Sequence, residues 1–308
     1  MPRRRAGEDI HGWVILDKPV GMTSTAAVAR VKRLFNARKA GHAGTLDPLA
    51  SGLLPVALGE ATKTVPFVMD GVKTYRFTVR WGAETLTDDA DGEVVSESAA
   101  RPDAKAVDAA AARLVGEISQ VPPAFSAVKV AGERAYDLAR QGARLKLQAR
   151  PATVYSLTHL GFADADHSLF EAECGKGTYV RALARDMGRE LKCFGHVTAL
   201  RRTGVGPFTE ADMISLEMLE ELRHSAAARG DPRQYLRPVE TALDDIPALA
   251  ISRPDAARLK RGQAVLLRGR DAPLLQGTVY ATVGGTLVAL GEIRQGELHP
   301  TRVFHIAG

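Results

Sequence analysis

Cysteine is scarce. Cys174 and Cys193 are the two in 308 residues, too few for a disulfide scaffold or a thiolate-rich metal site, and in keeping with a reducing, cytoplasmic setting. The eight histidines are scattered, with no pair at the short spacings that build a metal site on one helix or loop. No apolar run approaches the roughly 18 residues that a membrane helix needs. Arg3, Arg4 and Arg5 have no apolar stretch behind them, so no secretory signal is expected. Gly59-Glu60-Ala61-Thr62-Lys63-Thr64 lacks the second glycine of a phosphate-binding loop in register, and no Gly-x-Gly-x-x-Gly follows a strand. A Gly-x-Ser-x-Gly elbow is missing too. Metal, nucleotide-cofactor and serine-nucleophile chemistry are therefore unsupported. A carboxylate or general base acting on a charged partner remains.

What is present is an ordinary globular composition, 45% hydrophobic and 25% charged, with length enough for one large domain and a small one. The net charge of +5 matters less than its placement. Residues 31–42 carry four basic side chains and no acid, 122–155 six against two, and 176–202 seven against two. Residues 84–108 instead carry eight acids against Arg101 and Lys105. Such blocks suit a polar molecule with a positive face for a polyanion. Solvated helix faces give the same counts, so charge alone decides nothing.

The pattern of residues predicts an α+β fold. Residues 12–17 form a short apolar strand, and Ser24 is placed to cap a helix running to about Asn36. Glycine and proline through 39–63 predict a long ordered loop leading into a strand at 53–58, the kind of segment on which sites sit. Tyr75, Phe77, Val79 and Trp81 alternate with polar residues as a half-buried strand, and the acidic segment around Asp91 reads as a turn. Residues 103–118 follow helical spacing. The basic run after Pro123 reads as an excursion from the domain body, with a short helix near 133–141 stopped by Gly142. Residues 168–174 form a strand, and 175–178 open a helix with the stripe Val180, Leu183, Ala184, Met187 and Leu191. Beyond Pro247, short β runs around a Gly284-Gly285 turn suggest a small all-β appendage.

The most informative stretch is His42-Ala43-Gly44-Thr45-Leu46-Asp47-Pro48-Leu49-Ala50-Ser51-Gly52. Pro48 pushes the backbone of Asp47 toward an extended conformation. Gly41, Gly44 and Gly52 allow sharp turns and close approach to a ligand. A carboxylate held this way can face a pocket instead of capping a helix. Taken alone, an Asp-Pro pair is more often an ordinary turn, and a lone histidine such as His42 more often structural.

The wider segment 39–63, KAGHAGTLDPLASGLLPVALGEATK, resembles the signature of the TruB family of pseudouridine synthases. VPPAFSAVKVAGERAYDLARQG (121–142), CGKGTYVRALARDMG (174–188) and LRRTGVGPF (200–208) resemble the same family in the same order. The resemblance spans about residues 11–240 of the sequence, and the remainder is less sharply similar to a PUA-like β domain. It implies a pseudouridine synthase fold, with a mixed, mainly antiparallel sheet flanked by helices and a small C-terminal PUA-like β domain. The implied divisions are a basic N-terminus at 1–10, a catalytic domain at 11–245 with an RNA-gripping insertion at about 123–152, and the β domain at 246–308.

By the same resemblance, Asp47 is the catalytic aspartate. The reaction detaches uracil from its ribose, rotates it and rejoins it through carbon. A carboxylate suits this because it can add to base or sugar, or stabilise a cationic sugar, and then leave. A base must also take the proton from C5. The resemblance stacks Tyr75 on the target uracil as candidate general base, pairs Arg181 with Asp47 to keep it ionised, sets Tyr179 on the substrate and makes Leu200 an apolar pocket residue. Without it, Tyr75 and Leu200 read as core, Tyr179 as helix-start packing, and Arg181 as a solvated arginine like Arg185. Residues 175–178 with Lys176 offer N–H groups to a phosphate, or form an ordinary glycine turn. His42 is expected to prop the space left by the flipped nucleotide, because the base must leave the stack to be reached.

The implied substrate is the uridine at position 55 in the T loop of tRNA, since loops are what proteins read in RNA. No cofactor, metal, guide RNA, obligate protein partner or membrane is expected, and a monomer is. Two other classes remain to be weighed. A non-catalytic RNA binder gains nothing from a carboxylate facing phosphate. A carboxylate glycosidase needs two carboxyl groups flanking one bond, and the segment 39–63 offers Asp47 and Glu60.

Overall fold

A computed structural model describes residues 7–126, 128–130, 132–141, 146–224, 231–267 and 276–306. Its centre is the pairing of Lys73–Trp81, whose apolar residues alternate with polar ones, with Gly195–Val205, which carries two register shifts. The sheet around them runs Ile214–Ser215, Gly12–Lys18, Ala50–Leu58, Gly195–Val205, Lys73–Trp81, His167–Cys174, Arg150–Phe162, Gly116–Gln120. Ala40–His42 and Phe208–Thr209 pair beside this path. Within this sheet two of the described strand pairings are parallel, Gly12–Lys18 with Ile214–Ser215 and Ala50–Leu58 with Gly195–Val205. The sheet is thus mixed and mainly antiparallel, as expected.

Phe77 registers with Phe170 on one side and Leu200 on the other. All three are buried with Val107 of helix Ala104–Arg113, Leu183 of helix Val180–Glu190 and Val31 of helix Ser24–Leu34. A second cluster joins Trp13, Leu53 and Phe208 to Leu287, Leu290 and Phe304. Those last three belong to the C-terminal part, whose five-stranded sheet runs Ala248–Ala250, Gly277–Val283, Thr286–Arg294, Glu297–Val303, Val265–Leu266. The seam is also polar. Lys63 donates to the Val303 carbonyl at 2.7 Å, and the His305 N–H donates to Glu60 at 2.8 Å.

Several local expectations are corrected. Thr23 caps the first helix through its side chain, and the helix ends at Leu34. Ser24 is instead buried, exchanging hydrogen bonds with the Leu46 backbone at 2.8 and 2.9 Å. The segment 39–63 is less a loop than expected, because Ala50–Leu58 forms a nine-residue strand over Pro55. The helix over 103–118 stops at Arg113, and Gly116, at φ +105°, turns the chain into Gly116–Gln120. The excursion after Pro123 contains the hairpin Lys129–Val130 with Glu133–Arg134, and helix Ala135–Arg140. Its expected stop at Gly142 lies outside the described residues.

Two lysines are buried at strand ends. Lys18 donates to the carbonyls of Pro19 and Met22, both at 2.8 Å. Lys73 donates to Gly71 at 2.5 Å and to Met69. Burial pulls both ammonium groups down to about 8, with Asp47 drawing Lys18 partly back and Arg202 adding to the drop at Lys73. Close packing is demanding at Gly52. It sits at φ +95°, and an added Cβ would stand 2.3 Å from the Arg202 carbonyl oxygen.

Gly52→Ala should cost about 2–3 kcal/mol, read as a lowered midpoint in thermal denaturation. Gly177→Ala, at φ +89° with no atom within 4 Å of the new Cβ, should cost about 1 kcal/mol. Equal losses would refute this packing argument. For Lys73, the folded chain binds fewer protons than the unfolded chain between about 8 and the ordinary 10.5, so its contribution to stability rises with pH across that window. Relative to wild type, Lys73→Met should lose about 1–2 kcal/mol on going from pH 8 to 10, measured by urea denaturation. A difference that does not change with pH would contradict it.

Candidate active site

The loop bearing Asp47 is held from three sides. Ser24 fixes Leu46, the Gly21 N–H donates to the Pro48 carbonyl at 2.7 Å, and the Ala50 N–H donates to the Asp47 carbonyl at 3.1 Å. Arg202, 1% exposed, reaches under the loop from Gly195–Val205 and donates to the carbonyls of Leu53 at 2.8 Å and Gly44 at 3.0 Å. The carboxylate of Asp47 is left partly open to solvent. It can therefore point into a cavity while its backbone stays fixed.

Arg181 meets it there. The guanidinium lies 2.9 Å from Asp47 and 3.1 Å from Asp89, and donates to the carbonyls of Thr87 at 2.7 Å and Phe125 at 2.8 Å. Its side chain is 4% exposed, so nearly every donor is spent inside the protein. Arg181 projects from the first turn of Val180–Glu190, whose preceding residue, Tyr179, is fixed by Gln120. The Gln120 amide accepts from the Tyr179 N–H at 2.9 Å and donates to its carbonyl at 3.1 Å.

The same helix continues the pattern at spacing four. Arg185 pairs with Asp88 at 2.8 Å and Arg189 with Glu84 at 2.6 Å. Arg185 is buried rather than solvated. Burial pushes the Asp88 carboxyl up to about 6, with Arg185 opposing. The acidic block of 84–89 is thus largely consumed by the arginines of this helix.

Asp47, Tyr75, Tyr179, Arg181 and Leu200 all line one cavity of about 300 Å³. Tyr75 is half-buried at the cross-strand position of Arg202. Burial pushes its phenol up from the ordinary value, and Arg202 draws it partly back. Burial likewise raises the Tyr179 phenol. Leu200, 8% exposed, stands between this cavity and a second of about 490 Å³ lined by Pro48, Phe77 and Leu169.

His42 is the exception. It ends the short strand Ala40–His42, opposite Val56, and is not in the wall of the Asp47 cavity. Its Nδ1 is buried and makes no hydrogen bond of good geometry. Burial lowers its pKa with help from Arg202, while the Gly44 backbone offsets part of the shift.

Three contributors went unrecognised in the sequence. Asp89 supplies the second carboxylate on Arg181, Arg202 fixes the Asp47 loop, and Lys73 lines the cavity. For Asp89 a signal existed: arginines at 181, 185 and 189 stack on one helix face and need a matching row of acids. Nothing comparable marks Arg202 or Lys73. No group of three or more His, Cys, Asp or Glu able to hold a metal occurs among the described residues.

Comparison with known proteins places the chain in a family. Residues 32–180 match the TruB family pseudouridylate synthase N-terminal domain, and 181–244 the tRNA pseudouridylate synthase B C-terminal domain. The chain is 65% identical over 306 residues to the tRNA pseudouridine synthase B of Nitrobacter winogradskyi, covering 99% of this chain and 86% of the relative. It is 64% identical to that of Rhodopseudomonas palustris, covering 99% and 84%. Among solved structures, an H/ACA RNP bound to a substrate RNA containing 2′-deoxyuridine superposes with a TM-score of 0.73 at 26% identity, over 96% of this chain and 85% of that one. An archaeal box H/ACA sRNP Nop10-Cbf5 complex gives 0.71 at 27%, over 96% and 86%. The chain belongs to the TruB family of pseudouridine synthases.

Proposed function

We propose that this chain is a stand-alone tRNA pseudouridine synthase. It isomerises the T-loop uridine at position 55, with Asp47 as the catalytic carboxylate. The observation that carries this reading is the Asp47–Arg181 pair, 2.9 Å apart with the arginine buried and the acid facing a cavity. The names of the relatives supply the tRNA substrate. The target base is extruded into the cavity, where unstacking is repaid by contact with Tyr75 and Leu200. Asp47 then assists cleavage of the C1′–N1 bond, by adding to base or sugar or by stabilising the cationic sugar; C5 joins C1′, and any bond that Asp47 has made is broken again.

The Tyr75 phenol, pushed up from its ordinary value by burial, presents a stacking face first. As acceptor of the C5 proton it needs onward transfer. Tyr179 borders the substrate, and His42, outside the wall of the cavity, props the space in the RNA that the flipped nucleotide vacates. The basic excursion at about 123–152 grips the T loop, and the 246–308 unit, a PUA-like domain in this reading, meets the rest of the tRNA. The enzyme works in the cytoplasm as a monomer, with no metal, cofactor, guide RNA or protein partner.

Asp47→Asn should abolish pseudouridine formation at position 55 of an unmodified tRNA transcript while tRNA binding stays within about threefold, because the amide is isosteric but cannot add and leave. Wild-type turnover by the amide would sink the reading. Arg181→Lys keeps the charge but cannot span two carboxylates and two carbonyls. Its kcat should fall roughly 10²–10³-fold, and a loss confined to KM would point to RNA binding instead.

A further inference from the structure

Four cations line the Asp47 cavity: Lys73, Lys176, Arg181 and Arg202. Three are committed. Arg181 is shared between Asp47 and Asp89, and Lys176 pairs with Asp70 at 2.7 Å. Arg202 is locked to Gly44 and Leu53 beneath the loop. Lys73 differs. It is 6% exposed and forms no ion pair among the described residues, and its two hydrogen bonds go to the backbone carbonyls of Met69 and Gly71.

An ammonium group carries three N–H donors, so one remains. Asp70 draws on Lys73 from a distance but is already engaged by Lys176. A buried cation without a counter-charge is costly, and it persists where a ligand brings the missing anion. The carbonyls also aim the amine, so that the third donor is fixed rather than free to search.

We propose that Lys73 binds a backbone phosphate flanking the extruded uridine, and so sets how deep the nucleotide sits against Asp47. This inference rests on the function proposed above. A uridine flipped out of an RNA strand necessarily carries its own 5′ and 3′ phosphates into the mouth of the cavity, and one charge-assisted hydrogen bond inside a low-dielectric wall exceeds many at the surface. The ligand is a phosphodiester of the polynucleotide, not a free mononucleotide.

The test uses the full chain and T-stem-loop RNAs in which the linkage 5′ or 3′ of the target uridine is replaced by a neutral methylphosphonate. With wild-type protein, one of the two replacements should lower kcat/KM at least tenfold, about the loss of one charge-assisted hydrogen bond. Lys73→Gln, whose amide still offers two donors to Met69 and Gly71, should show that same loss on ordinary RNA and no further loss on the neutral linkage. Losses that multiply, or neutral linkages that cost less than threefold at both positions, overturn the proposal. Should Lys73→Gln fail to fold, ¹⁵N-lysine-labelled wild type decides, with the Lys73 signal assigned by its absence in Lys73→Arg. That signal must shift with ordinary RNA and stay put with the neutral one; the same shift with both RNAs overturns the proposal. If the function itself is misread, no RNA yields pseudouridine with wild-type protein. If only the phosphate contact is misread, ordinary RNA turns over and is indifferent to linkage charge.

Discussion

One buried guanidinium organises this molecule. Arg181 gathers Asp47, Asp89 and the carbonyls of Thr87 and Phe125, and so binds three distant stretches of chain to the first turn of one helix. Such a hub is stabilising only while every partner is present. Removing the arginine would leave Asp89, a buried carboxylate, without its counter-charge, at a cost of about 3–5 kcal/mol. Fixing Asp47 and keeping the fold are therefore the same physical task.

The ion pairs along the Arg181 helix account for the first three acids of the acidic block. Glu84, Asp88 and Asp89 face Arg189, Arg185 and Arg181, so acids that look like a repulsive patch in the sequence are spent internally. A polyanion approaching the cavity meets Lys73 and Lys176 instead, the latter beside Asp70. Net charge of a segment is a poor guide to its field when its partners lie a hundred residues away.

Much of this was legible, and the failures have causes. The strand Lys73–Trp81 shows itself by strict alternation, and Asp47 by the proline and glycines around it. Gly195–Val205, the strand at the middle of the sheet, does not show itself. Its register shifts at Val197/Ala199 and Arg202/Gly204 break the two-residue period, and Arg201 and Arg202 look like surface. Arg201 is indeed at the surface, paired with Asp17 and Glu210, while its neighbour is buried. Ser24 looks like a cap because capping is local and its true partner, Leu46, is not. The helix over 103–118 reads too long because its spacing runs on past Arg113, where Gly116, at φ +105°, redirects the chain into the next strand. In each case a long-range contact or a dihedral angle overrides a local preference.

Gln120 gives the architecture one more consequence. It is the last residue of its strand, directly before the basic excursion, and its amide clasps both backbone groups of Tyr179. The excursion returns to the sheet at Arg150, which registers with Gln120. Any shift at the root of that arm is therefore felt at Tyr179, next to the residue that pairs with Asp47.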